Sequence, residues 1–190
     1  MENYIRIYDD VLSSDYCDNL VSKFEDNTRH HLTQDRKNLS RGWRMSLTQI
    51  ELTHWPEWEN HVKHLLTVSQ KYIDKYYIDC DINNRQWPTY QDKPLSYEPM
   101  RMKRYQPDDI DEFQAHVDNT NLQDCKRYLV MFLYLSDNDK GETVFPKHNI
   151  SVPCKKGSML LFPPSWTYEH AGKKPINTPK YIIGSYLQYE

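Results

Sequence analysis

The spacing of apolar positions changes along the chain, from a helical period in the first half to a period of two in the second. Residues 4–8 alternate as a short strand does, and Ser13 or Ser14 then offers an N-cap. Beyond it Cys17, Leu20, Val21 and Phe24 fall on one face of a helix, a stripe best read as core packing. Residues 26–44 are polar, with Arg29, His30, His31, Arg36, Lys37, Arg41 and Arg44 interrupted by Leu32 and Leu39 before Trp43. This segment reads as a long loop leading into a strand. A second helix begins at Trp55-Pro56, with proline at an early helical position, and carries Trp58, Val62, Leu65, Leu66, Ser69, Tyr72, Ile73 and Tyr76 at helical spacing. It should support one face of a β-core. Residues 79–98, with Trp87-Pro88 and Lys93-Pro94, read as an irregular connection that shapes a substrate groove or packs over the sheet.

From there the pattern is that of strands, over 97–105, 127–135, 144–145, 150–152, 158–162 and 180–188. In the longest apolar run Tyr128, Val130, Phe132 and Tyr134 share one face, and Leu129, Met131, Leu133 and Leu135 the other. A strand apolar on both faces is a central one, covered on both sides, with the helices on the outer side. The predicted class is mainly β with flanking helices (α+β), a double-stranded β-helix or jelly-roll core supported by the N-terminal helices. We expect one domain over 1–190, with strands and supporting helices in 1–95 and the metal-binding core in 96–190.

Within that second half lie His116-Val117-Asp118, a distant His170 and then Lys180. If the first three continue a strand, His116 and Asp118 point to one side and Val117 to the core. Two imidazoles and a carboxylate suit Fe(II) and leave coordination positions open opposite them. His170 follows the strand-like 158–162 and a Pro163-Pro164 break, from where it could return across a barrel. Lys180 opens another strand, and a buried ammonium there needs an anionic partner, which a dicarboxylate such as 2-oxoglutarate would supply. By itself His-x-Asp more often marks surface chemistry; the distal histidine and lysine make the metal reading the stronger one. His61 and His64 lie three apart on the second helix but lack a third ligand, so they are expected to face solvent, as is His148 in a turn.

These residues carry a resemblance to the prolyl 4-hydroxylase-like Fe(II)/2-oxoglutarate-dependent dioxygenases. Arg104-Tyr105, His116-Val117-Asp118-Asn119, Tyr134-Leu135-Ser136-Asp137 and Gly141-Glu142-Thr143-Val144-Phe145-Pro146 occur in the family's order. They are followed by Lys156-Gly157-Ser158-Met159-Leu160-Leu161-Phe162, His170 and Lys180-Tyr181, and the opening 5–13 is similar to the family's entry strand and helix cap. The resemblance implies His116, Asp118 and His170 as iron ligands, Lys180 on the distal carboxylate of 2-oxoglutarate, and Tyr105 and Tyr134 hydrogen-bonding that co-substrate. Tyr105 and Tyr134 have an equally weighted alternative as half-buried packing residues. O₂ would be the second co-substrate and ascorbate a candidate reductant. Residues 26–44 fall where the family has mobile loops near the active-site mouth, which makes them a candidate substrate lid or simply a solvated basic loop. The chain departs from the family in its acidic loop 106–112, where a glycine is common, and in Thr178, which stands where a glycine often precedes the basic residue.

The implied reaction hydroxylates an unactivated C–H bond, foremost of a prolyl residue in a peptide or protein, and converts 2-oxoglutarate to succinate and CO₂. Small-molecule or nucleic-acid oxygenation and a non-catalytic jelly-roll module that binds a metal or ligand are the alternatives. A net charge of −3 over 190 residues gives no electrostatic case for nucleic acid beyond the segment holding Arg29 to Arg44. Cys17, Cys80, Cys125 and Cys154 are scattered and form no CxxC, which argues against a zinc knuckle and a disulfide framework. No apolar run is long enough to span a bilayer and no signal-like start is present, so a cytoplasmic location is expected.

Overall fold

A computed structural model describes residues 4–40, 42–82 and 96–189. Helix α1 (Ser14–Asp26) starts where Ser13 accepts a hydrogen bond from the Tyr16 amide, and it buries Cys17, Leu20 and Phe24 as its spacing predicts, leaving Val21 half-buried. A 3₁₀ turn over Pro56–Trp58 leads into α2 (Glu59–Asp79), which buries Val62, Leu65, Ser69, Ile73 and Tyr76. Trp87-Pro88 and Lys93-Pro94 lie outside the described residues.

Among the described residues twelve strands, all paired antiparallel, form one curled sheet. Its path runs β1 (Arg6–Tyr8), β10 (Met159–Phe162), β7 (Arg127–Tyr134), β12 (Lys180–Gln188), β5 (Arg101–Tyr105), β3 (Trp43–Glu51), β6 (Glu112–His116), β11 (His170–Gly172), β8 (Asn138–Phe145) and β9 (Ile150–Cys154). Off this path, β2 (Leu32–Asn38) pairs with β3, and β4 (Ser96–Tyr97) with β12. The result is a nearly closed, barrel-like jelly roll with two helices on its outer face.

Strand β7 divides two apolar cores as its two-sided pattern predicts. Leu129, Met131, Leu133 and Leu135 pack with Leu20, Phe24, Trp58 and Leu65 of the helical side. Val130, Phe132 and Tyr134 face inward with Phe145, Leu160 and Phe162. Each such side chain stabilises the fold by about 1.5–3 kcal/mol on burial. Tyr128 departs from the parity and packs on the helical side.

Four further expectations are corrected. Part of 26–44 is not loop: β2 pairs with β3 from Leu32↔Gln49 to Asn38↔Trp43. Its side chains are almost all exposed, so neither face needed apolar residues and no alternation marked it. Residues 97–105 split into β4 and β5. His61 is half-buried against the Tyr16 hydroxyl, 3.0 Å from its Nδ1. His148, though in a 3₁₀ turn, is half-buried, with Nε2 3.0 Å from the Thr167 carbonyl oxygen and its ring stacked on Tyr168.

Gly157 joins the N-terminal segment to the barrel. Its carbonyl accepts from the amides of Val11 (2.8 Å) and Leu12 (3.1 Å), and its own amide donates to Tyr134 O at 2.9 Å. Its φ is +81°, and a Cβ there would run into the Leu12 carbonyl oxygen. Gly157→Ala should therefore destabilise the protein by about 1–3 kcal/mol from backbone strain alone. A urea-denaturation midpoint equal to that of the wild type would refute this.

Candidate active site

The site is built on a cross-strand pair. In the β6–β11 ladder His170 stands directly opposite His116, so both imidazoles project from the same side of the sheet, with ring centroids 4.3 Å apart. Each ring is held from behind. The Nδ1 of His116 lies 2.8 Å from the Gln114 carbonyl oxygen and that of His170 3.1 Å from the Tyr168 carbonyl oxygen. A carbonyl can only accept, so Nδ1 carries the proton and Nε2 keeps its lone pair toward the site. Phe113 stacks on His116 at 3.7 Å with the planes 7° apart, which fixes the ring further.

Asp118 meets both histidines. Its Oδ1 lies 3.6 Å from His116 Nε2 and its Oδ2 3.5 Å from His170 Nε2. Strand β6 ends at His116, so Asp118 reaches the site from the turn beyond it rather than by strand parity. Val117 accordingly lines the outer groove, half-buried, and does not face the core as the strand reading predicts. The turn is fixed by the Asp118 amide donating to Pro164 O at 3.2 Å and by Arg127 Nη1 donating to Asp118 O at 2.9 Å. Arg127 is itself gripped by Glu98 at 2.6 and 3.0 Å, with its guanidinium 4.1 Å from the Tyr186 ring centroid. The Tyr186 hydroxyl donates to Asp118 Oδ1 at 2.9 Å.

Burial would raise the Asp118 pKa, but the two imidazoles beside it and the hydrogen bond from the Tyr186 hydroxyl outweigh it and hold the carboxyl ionised. Burial also pushes His170 down to about 4, so that imidazole is neutral near pH 7. Two buried acceptors, Asp118 Oδ2 and His170 Nε2, have no hydrogen-bond partner among the described residues. One ligand atom from each of His116, Asp118 and His170 can be chosen so that all lie within 4.8 Å of one another. Unpaired buried acceptors are costly unless something positive completes them. A divalent cation with nitrogen and oxygen ligands fits this donor set.

Behind the cluster is a small inner cavity of about 20 Å³, lined by His116, His170, Tyr105, Thr143, Lys103 and Lys180 among others. Strand parity puts them there. On β12 Ile182 and Tyr186 belong to the inner core and Tyr181, Ile183 and Leu187 to the outer one, so Lys180 points inward. Lys180 is 1% exposed and its Nζ donates to Gly141 O at 2.5 Å. The Nζ lies 5.3 Å from the Tyr105 ring centroid and 5.9 Å from that of Tyr134. Tyr105 lines the cavity, whereas the Tyr134 hydroxyl donates to Thr143 Oγ1 at 2.7 Å. On β5 Lys103 shares the parity of Tyr105, and burial pushes its ammonium down to about 8. Sequence reasoning missed Lys103, Thr143, Arg127 and Tyr186. The first was recoverable, because Lys103 lies two residues before Tyr105, for which a co-substrate contact is one of the two expected roles.

In front of the cluster opens a groove of about 740 Å³, walled by Arg36, Trp43 and Met45 of the β2–β3 hairpin and by Val117, Arg127 and Glu169. The candidate lid segment thus borders the mouth as a hairpin.

A family model described as the 2OG-Fe(II) oxygenase superfamily matches residues 100–188. Similar solved structures include a prolyl hydroxylase from Trichoplax adhaerens, in complex with a hypoxia inducible factor oxygen degradation domain peptide. It is 16% identical, with a TM-score of 0.71 over 98% of this chain and 84% of that one. The viral collagen prolyl hydroxylase of Paramecium Bursaria Chlorella virus-1, in its 2OG complex, is 18% identical, with a TM-score of 0.63 over 98% and 96%. A Pseudomonas putida prolyl-4-hydroxylase is 11% identical, with a TM-score of 0.62 over 99% and 94%. No curated protein matches the sequence. These structures share the jelly-roll fold, and over residues 100–188, the stretch that carries His116, Asp118, His170 and Lys180, the chain is similar to the 2OG-Fe(II) oxygenase superfamily.

Proposed function

We propose that this protein is an iron- and 2-oxoglutarate-dependent dioxygenase that holds Fe(II) through His116, Asp118 and His170, and hydroxylates an unactivated C–H bond of a prolyl residue in a peptide or protein. The observation that carries the metal assignment is the pair of buried, unpartnered acceptors on Asp118 and His170. Iron bound there would let O₂ and 2-oxoglutarate oxidise the C–H bond, one oxygen atom entering the product hydroxyl and the other succinate, with release of CO₂.

The chain's own residues do the positioning. The backbone carbonyls of Gln114 and Tyr168 fix the Nδ1–H tautomer, so that each neutral ring presents the Nε2 lone pair, and Tyr186 and Arg127 fix the carboxylate and its turn. Lys180, buried at the closed end, takes the distal carboxylate of 2-oxoglutarate with Tyr105 beside it; Tyr134 acts there through Thr143. The outer groove is open along the hairpin, which suits an extended chain better than an enclosed metabolite. The Trichoplax enzyme, whose fold this chain shares, is bound to a peptide fragment. Nucleic acid is less favoured, because Arg29 pairs with Glu57 at 3.2 Å and Arg44 with Asp35 at 3.6 Å, which offsets part of the local positive charge. No helix among the described residues is long and apolar enough to cross a membrane.

Anaerobic loading with Fe(II) and 2-oxoglutarate followed by O₂ should yield succinate that disappears in Asp118→Ala and rises when a proline-rich peptide pool is added. Succinate unaffected by Asp118→Ala would end the metal assignment, and indifference to peptide would end the prolyl one. Tyr186→Phe, which removes only the hydroxyl on Asp118, should weaken Fe(II) binding about 10- to 100-fold. Calorimetric titration that finds equal affinities would show that Tyr186 does not tune the carboxylate.

A further inference from the structure

The inner cavity receives two lysines, and the reading above uses only Lys180. Across the β5–β12 ladder Lys180 stands opposite Tyr105 and Lys103 opposite Ile182. The two lysines therefore occupy diagonal positions of neighbouring strands on the same face. Lys103 is 9% exposed, and its Nζ lies 5.9 Å from the ring centroids of both Phe113 and Phe132, which flank it. Gly184 leaves the room for this. A Cβ at that position would sit 3.1 Å from two carbons of the Phe132 ring and 3.9 Å from Lys103 Nζ.

The partners of the two ammonium groups differ. Lys180 is bonded to Gly141 O, whereas Lys103 has neither a hydrogen-bond nor an ion-pair partner among the described residues. Of the charges acting on Lys103 the attractive one is Asp118, while Arg101, Arg127 and Lys180 repel it. A metal ion on Asp118 would engage that carboxylate and add positive charge of its own. Lys103 lines the inner cavity with His116 and His170 and does not line the outer groove. Its ammonium thus faces the co-substrate side of the metal cluster rather than the peptide side. A merely structural lysine carries its head out to water, whereas the Lys103 ammonium lies near two aromatic rings and the residue lines the cavity. A ligand reaching from the histidine pair to Lys180 through this cavity passes a lining that includes Lys103.

We propose that Lys103 is a second co-substrate-binding residue, pairing with the carboxylate next to the oxo group at the metal end of a 2-oxo acid while Lys180 takes the far carboxylate. The inference rests on the assignment of the cavity to 2-oxoglutarate. It makes the site one for dianions, with a cation for each end.

Two ligands separate the ends, 2-oxoglutarate and 2-oxobutyrate, which lacks the far carboxylate. Both are titrated calorimetrically into the Fe(II)-loaded protein without O₂, in the wild type, Lys103→Met, Lys103→Arg and Lys180→Met. Lys103→Met should weaken both ligands by the same factor, about 10- to 100-fold for a lost charged hydrogen bond. Lys180→Met should weaken 2-oxoglutarate alone. Lys103→Arg should recover part of the loss, which assigns it to charge even if Lys103→Met melts at a lower temperature than the wild type. Unchanged binding in Lys103→Met, loss confined to 2-oxoglutarate, no recovery by arginine, or a wild type that binds 2-oxoglutarate but not 2-oxobutyrate would each overturn the assignment of Lys103. A wild type that binds neither ligand would instead overturn the assignment of the cavity itself.

Discussion

The pairing of β6 with β11, which sets His170 opposite His116, is the constraint on which the rest of this molecule depends. Shifting that ladder by one residue would turn one imidazole to the other face of the sheet and dissolve the cluster. The ladder is short, and its register is irregular between His170 and Gly172. It is therefore held by its surroundings: β3 pairs with β6 on one side through Met45↔Phe113, and β8 with β11 on the other through Ala171↔Val144. Phe113, fixed in this way, stacks on His116. Packing around the site thus replaces the stability that so few ladder bonds could not provide.

The helices contribute to the same rigidity from the far side. Strands β5, β7 and β12 each present one face to the helical core and the other to the inner one, so a shift in α1 or α2 would be felt across a single layer of backbone. Glu25 at the end of α1 binds Arg104 Nη1 at 2.8 and 2.7 Å and accepts from the Tyr181 hydroxyl at 2.9 Å. Arg104 and Tyr181 are the outward neighbours of Tyr105 and Lys180, and they face each other across the ladder. One carboxylate on a helix therefore clamps the two strands at the rung beside the one that carries Lys180 and Tyr105.

How much of this was legible in the sequence follows from where apolar pattern and chemistry coincide. Strands β7 and β12 and the stripes of both helices were readable because each buries at least one whole face, which forces a period on the residues. Strand β2 was not, because an exposed strand has no face to bury and its charges resemble those of a loop. His116, Asp118, His170 and Lys180 stood out by residue type and family-like order, yet the reason given for Asp118 was wrong in detail: the strand ends at His116, and a turn pinned by Pro164 and Arg127 delivers the carboxylate. Arg127 and Tyr186 escaped notice because their roles arise from contacts between distant segments, which no local spacing encodes. Lys103 is different. It lies two residues before Tyr105, so strand parity alone places the two on one face.

That lysine gives the site its electrostatic character. A barrel interior lined by Phe113, Phe132, Phe145 and Phe162 screens charge poorly, and each ammonium buried in it costs stability unless an anion is near. Burial lowers both Lys103 and Lys180 from the ordinary lysine range, which registers that cost. A neutral co-substrate would leave the cost uncompensated, and a monoanion would offset it at one end only. A dicarboxylate meets both, and because its charges stand at opposite ends it can do so in one orientation, with the oxo acid toward the histidines. On this proposal selectivity for the co-substrate and its orientation have the same physical origin, two buried ammonium groups that the protein compensates only in part, Lys103 through Asp118 and Lys180 through Gly141 O.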